Sequence, residues 1–374
     1  MDIRSLIKIA GLATISLSSA IFSAQSFANV NAETNSEDRF WIDRTYKNLS
    51  TLDNYQATSE LVFSNTTISA SSTEKQITPI VSDITFKSPD SFYQVVTQPE
   101  TLKGYEASYS NNTITLYDVR NQNALQIKGL KPFEKKNAKA RIKGIYMYNK
   151  EHYPQEFTPS ILVADRLSVG IEFKAAEDNY QLQKIEGFVD YHYSLFMQAN
   201  FIFSDSTEAK VTNTEIEFNK SSLLLPSIDL STNNLIKDGK ITSWDFSEKG
   251  LSKEQLKKQV SKNIVWPEDT KNAWDFSKKK YYQKENSKNS AAYYYSNDFF
   301  LITTTSPSND ITPLHSNKSV MGVPLALGKT QAVLNQLPAF TTLKFSHDGI
   351  SYTLLSNIHP ESILAMAKAM IENK

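Results

Sequence analysis

Between Ile84 and Leu130 the apolar and polar positions of this chain alternate in short runs that break wherever the backbone must turn. Ile84 to Phe86 and Phe92 to Val96 read as strands on either side of a Pro89-Asp90 corner, and Asn111-Asn112 turns the chain into Thr113–Asp118. β-Branched and aromatic residues fill the runs while Pro, Gly and Asn hold the breaks, as pleated surfaces and tight turns require. The same pattern predicts strands at 55–63, 77–86, 92–96, 105–109, 113–118 and 125–127. It resumes at 169–173, 180–185, 187–193, 195–203 and 210–218. A curved apolar wall is the expected product, and no turn in its first part carries a catalytic set.

Helical spacing is confined to a few places. Over residues 36–49, Ser36 can cap, Glu37 and Asp38 suit the positive end, and Ile42, Tyr46 and Leu49 share a face. A second helix is expected over 155–167, on Phe157, Ile161 and Leu162, while the basic stretch Lys131–Lys143 reads as a solvated loop. Further on, Ser252 to Gln255 has the form of a capping box, and strands are expected at 291–295 and 299–305. The clearest signal comes last. Thr341–Phe345 and Ile350–Leu354 alternate strictly around Asp348-Gly349, a hairpin marker because both turn positions need positive φ. Pro360 then opens a helix with Ile363, Leu364, Ala367, Met370 and Ile371 on one stripe. A hairpin under an amphipathic helix is an α+β unit. With 374 residues the chain is long enough for two cores. The polar stretch 227–250 is expected to be the linker between residues 36–226 and a smaller α+β domain at 251–374.

The first 28 residues are of another kind. Arg4 and Lys8 precede an uncharged apolar run from Ile9 to Phe22, followed by small residues at Ser26 and Ala28. Such a run is short of the ~20 residues of a membrane span and has the build of a secretory signal. Cleavage is expected after Ala28, with Ala32 as second choice. The chain has no cysteine, which excludes thiolate chemistry, disulfides and a lipid anchor on a lipobox Cys. A periplasmic or otherwise exported protein, soluble after cleavage, is the expectation. Its 40 basic and 40 acidic residues cancel, so no basic excess points to nucleic acid.

Reactive constellations are missing from the sequence. The five histidines lack metal-ligand spacing, no Gly-rich phosphate loop or G-x-S-x-G turn occurs, and carboxylates such as Asp165 and Glu172 form no distinctive pair. No catalytic residue, metal or cofactor is therefore expected. The aromatics remain: Phe86, Phe92, Tyr117, Phe173, Met197, Phe201 and Phe203 lie on separate strands. Singly each suits an ordinary core; together, on a curled sheet, they would line an adaptable apolar pocket.

The corner from Phe86 through Pro89-Asp90 to Tyr93 and the strand from Asn111 to Asp118 resemble motifs of the LolA/RseB-like superfamily. Val189-Asp190, Leu195–Gln198 and Val211–Phe218 resemble that family's later hairpins. The final hairpin and helix, His347 to Met370, resemble the second domain of the RseB/MucB group. Asn-Asn replaces the family's usual Asp-Gly at 111–112, and Phe92-Tyr93 lacks its common Arg. The resemblance implies an incomplete antiparallel β-barrel closed by helices over an apolar cavity on its concave side. It further implies binding of an acyl chain, lipid or lipoprotein, as carrier or lipid sensor. The alternative it implies is a regulator that binds a membrane anti-sigma protein in an envelope-stress pathway. Protein recovered from the exported fraction is expected to start after Ala28 or Ala32 by intact mass; a mass beginning at Met1 would refute the signal reading.

Overall fold

The computed structural model describes residues 36–64, 79–88, 91–120, 122–131, 138–228, 230, 241–259, 264–270, 278–283, 289–295, 299–307, 322–338 and 340–372. The signal segment, the Pro89-Asp90 corner and residues 229 and 231–240 of the expected linker lie outside them. A helix, α1 (Ser36–Ser50), comes first. A meander follows: β1 (Asn54–Ser64), β2 (Ile80–Lys87), β3 (Ser91–Gln98), β4 (Tyr105–Ser110), β5 (Thr113–Asp118) and β6 (Asn123–Lys128). Helix α2 (Ala138–His152) leads to a second meander, β7 (Gln155–Val163), β8 (Arg166–Lys174), β9 (Leu182–Asp190), β10 (Phe196–Phe203) and β11 (Glu208–Phe218).

β1 pairs antiparallel with β11, so the two meanders form one 12-stranded sheet. Its order is β12-β6-β5-β4-β3-β2-β1-β11-β10-β9-β8-β7, where β12 is Ile241–Asp245. The edge strands β12 and β7 do not meet, so the barrel is incomplete. A second, 7-stranded sheet has the order β13-β14-β15-β19-β18-β17-β16. Its strands are β13 (Lys278–Gln283), β14 (Ser290–Tyr295), β15 (Phe300–Pro307), β16 (Val323–Leu327), β17 (Thr330–Gln336), β18 (Thr341–His347) and β19 (Ile350–Ser356). Helices α3 (Lys253–Gln259) and α4 (Pro360–Glu372) complete an α+β architecture. Among the described residues no helix is long and apolar enough to cross a membrane.

Local chemistry explains the elements that were expected. Ser252 N–H donates to Gln255 Oε1 (2.8 Å) while Gln255 N–H donates to Ser252 Oγ (3.2 Å), a reciprocal capping box at α3. Asp348 and Gly349 take positive φ (47° and 74°) between β18 and β19. In α1 the buried stripe is Asp38, Ile42 and Thr45, and Tyr46 is exposed. Asp38 is drawn inward because Tyr146 and Lys150 of α2 donate to its Oδ1 at 2.6 and 2.8 Å.

Three expectations need correction. Residues 155–167 are not a helix: Gln155 and Phe157 of β7 pair with Phe173 and Ile171 of β8. Ala164 and Asp165 make the hairpin turn at φ 47° and 59°. A bulge between Thr158 and Ile161 imitates helical spacing there. The crowding is severe, since a Cβ on Gly170 would meet Thr158 Oγ1 at 2.0 Å. Lys131–Lys143 is not a loop throughout, because α2 begins at Ala138. Ile142, Tyr146, Asn149 and Tyr153 are buried at helical spacing, which the interleaved lysines hid. Inside the expected linker, β12 pairs in parallel with β6, burying Trp244 opposite Ile127.

One rung crosses the first sheet from β11 to β12. It runs Phe218, Tyr55, Phe86, Phe92, Tyr109, Ile114, Ile127, Trp244, each paired with the next. Tyr55 and Phe86 stack with ring centroids 5.2 Å apart, and Phe92 reaches Phe340, just before β18 of the second sheet, at 5.5 Å. Phe92 is 0% exposed whereas Leu162, beside the β7–β8 turn, is 69% exposed. Phe92→Ala is therefore expected to cost about 3–5 kcal/mol in urea unfolding, and Leu162→Ala within about 0.5 kcal/mol of nothing. Equal costs would contradict the placement of these strands.

Candidate functional site

Side chains alternate across a strand, so one face of the first sheet collects every second residue. From β1 that face presents Tyr55, Ala57, Ser59 and Leu61; from β2 it presents Ile80, Ser82, Ile84 and Phe86. β3 adds Phe92, Gln94 and Val96. On β11 the spacing from Ile216 to Asn213 is odd, yet both face inward. The register shifts beside Thr58, leaving Thr214 as the extra residue of a bulge.

Between this face and the second sheet lies a cavity of about 150 Å³. Its floor includes Ser59, Leu61, Ile80, Ser82 and Gln94, with Met197, Ala199, Phe201 and Phe203 of β10 and Ala209, Val211 and Asn213 of β11. Its roof is Val323 of β16, the segment Leu334–Pro338 and Pro360. Among the described residues no charged side chain lines it. An apolar cavity near this size takes up a benzene ring in other proteins.

The aromatics singled out in the sequence divide. Met197, Phe201 and Phe203 line the cavity. Phe86 and Phe92 face the same side but belong to the neighbouring cluster, where Phe340 and Leu355 cover them. Phe173 shares a rung with Ile185 and Phe201 and joins the cluster that contains Ile142 and Tyr146 of α2. Tyr117 lies on the opposite face, paired with Glu106 and Ala124. Its hydroxyl is pushed up by burial and then by the charges of Glu106 and Asp118. Sequence reasoning missed the polar members of the floor and the whole roof. Strict alternation from Tyr55 and Phe92 marks Ser59 and Gln94; nothing local marks Leu334–Pro338.

Two buried or half-buried carboxylates pin the roof to the floor. Asp205, in the β10–β11 turn, accepts from Ala326 N–H of β16 at 2.7 Å. Glu361, in the first turn of α4, accepts from Leu182 N–H at 2.7 Å and from the backbone of Gln181. Beside it, the ring of His359 lies 5.2 Å from those of both Tyr148 and Tyr153, and its Nδ1 accepts from Glu361 N–H at 3.1 Å. Pro360, between them, is part of the roof.

No protein-family model matches the chain, and no curated protein matches it. Among solved structures it is similar to a chain of the Pseudomonas aeruginosa MucA/MucB complex, at 8% identity and a TM-score of 0.40, covering 90% of this chain and 98% of that one. A crystal structure of MucB matches at 10% identity and TM-score 0.40, over 91% of this chain and 98% of that one. A putative outer membrane lipoprotein-sorting protein domain from Vibrio parahaemolyticus matches at 11% identity and TM-score 0.26, over 49% of this chain and 92% of that one. Likenesses at this level assign no function.

Burial pushes the Glu361 carboxyl from 4.5 up to about 7, against the two backbone N–H groups and Lys368. Burial likewise pushes His359 from 6.5 down to about 3. The stability Glu361 contributes is full below its unfolded value of 4.5 and lost as pH rises to about 7. That of His359 is full above 6.5 and lost as pH falls toward about 3. Between 4.5 and 6.5 the two slopes oppose and this joint leaves stability flat. Glu361→Gln removes one slope, so its stability relative to wild type should grow by about 3 kcal/mol from pH 4 to pH 8 in urea titrations. A difference that does not change with pH would contradict the burial of this carboxyl.

Proposed function

We propose that this chain is an exported, non-enzymatic binding protein of the LolA/RseB-like kind that takes an acyl chain, free or on a lipoprotein, between its two sheets. The observation that carries the reading is the uncharged, largely apolar cavity whose floor and roof come from different sheets. The family motifs on β2, β3 and β5 and the incomplete barrel support it. In this reading the chain has two units, 36–226 and 251–374, with β12 carried by the first sheet.

Energetics favour a chain-like ligand. Each buried methylene contributes about 0.8 kcal/mol, so a long chain gains useful affinity after ordering costs. A cavity of about 150 Å³ holds only a short length of it, and outward movement of Leu334–Pro338 would admit a longer chain. That coupling favours a second reading, a regulator of an anti-sigma factor in an envelope-stress pathway. Lifting the roof displaces the second unit, and with it any partner surface that unit carries.

Ala199 lies on the cavity floor, and enlarging it fills the space without adding charge. Ala199→Leu should weaken displacement of a fluorescent fatty-acid probe by about tenfold, because overfilling costs 1–3 kcal/mol. Circular dichroism checks the fold, and Leu162→Asp on the far hairpin should leave binding unchanged. If the wild type shows no saturable binding of acyl probes or lipopeptides, the carrier reading fails.

A further inference from the structure

The cavity is polar at one end. Leu182, Phe201, Phe203 and Ala209 give the other end a hydrocarbon lining. Uncharged polar groups gather where β11 meets β1–β3: Asn213 of β11 pairs with Ser59 of β1 and Ser59 with Ser82 of β2, while Gln94 of β3 pairs with Ile84, one rung over on the same face. Asn213 is used, donating from Nδ2 to Phe196 O at 3.0 Å. Gln94 is 8% exposed and its Oε1 is wholly buried with no hydrogen-bond partner among the described residues. A buried amide left unmet is costly and calls for a partner.

We propose that the buried length of the ligand carries a neutral hydrogen-bonding group, a hydroxyl or an amide, and that Gln94 selects for it. This rests on the cavity being the ligand site. Gln94 offers an acceptor and a donor on one side chain, which a hydroxyl or amide answers with both of its functions. A plain hydrocarbon leaves Gln94 unmet. A carboxylate at this depth finds no counter-charge among the lining residues, and its desolvation is uncompensated. The ligand thus lies with its tail between β10 and the roof and its neutral polar group against β3. Hydroxylated chains and amide-linked chains share this chemistry.

Small probes suited to the cavity separate the cases. Full-length wild type and Gln94→Met are titrated by calorimetry with toluene, hexan-1-ol, N-butylacetamide and hexanoate. The affinity of hexan-1-ol or of N-butylacetamide relative to toluene should fall about tenfold on Gln94→Met, the worth of one buried hydrogen bond. Whichever ratio falls identifies the hydroxyl or the amide. Hexanoate should bind more weakly than hexan-1-ol to both proteins. Should Gln94→Met fail to fold by circular dichroism, Gln94→Asn, whose amide ends one methylene short, should lose the same preference. If toluene binds both proteins and both ratios stay within about twofold, well under one hydrogen bond, the selection by Gln94 is overturned while the cavity stands. If no probe binds the wild type, the cavity reading falls, and this inference with it.

Discussion

The pairing of β1 with β11 is the interaction on which the rest depends. It joins two meanders, far apart in sequence, into one sheet, with Tyr55 opposite Phe218 and Ser59 opposite Asn213. Without it neither half offers a floor broad enough for a cavity, since the lining residues lie on β10 and β11 to one side and on β1 to β3 to the other. The bulge at Thr214 is part of the same device. A strict two-residue repeat would turn either Ile216 or Asn213 outward and split the inner face in two.

The second sheet covers the inner face of the first, and the two share a core. A single cluster of buried side chains takes in Phe173, Phe201 and Phe203 together with Leu325, Leu334, Leu354 and Ile363. Apolar contact alone is non-directional and would let the units slide. The hydrogen bonds of Asp205 with Ala326 and of Glu361 with Leu182 give the contact its register. Glu361 holds that place at the cost of burying an ionisable group, which is why the joint responds to pH.

Much of this was legible in the sequence where local chemistry decides conformation. The β18–β19 hairpin, the capping box at α3 and the strands around Phe86, Phe92 and Asn111 follow from turn residues and alternation. The failures have physical causes. Pro159 and the bulge beside it gave β7 a false helical rhythm. Lysines on the exposed side of α2 masked Ile142, Tyr146 and Tyr153. Trp244 sits in a polar stretch and finds its partner, Ile127, only through a parallel pairing that sequence does not mark. Of the site, Met197, Phe201 and Phe203 could be named because aromatic and Met side chains stand out on a strand. Their partners Ser59, Ser82 and Gln94 could not, because a polar residue acquires meaning there only once a second sheet covers it.

The central claim is that a hydrocarbon chain lies between β10 and the segment Leu334–Pro338. Crystals grown with an alkyl chain brominated at its end test it most directly. An anomalous bromine peak between Phe201 and Leu334 is the predicted result; a peak confined to the outer face of either sheet, with the space between the sheets unchanged, would contradict it.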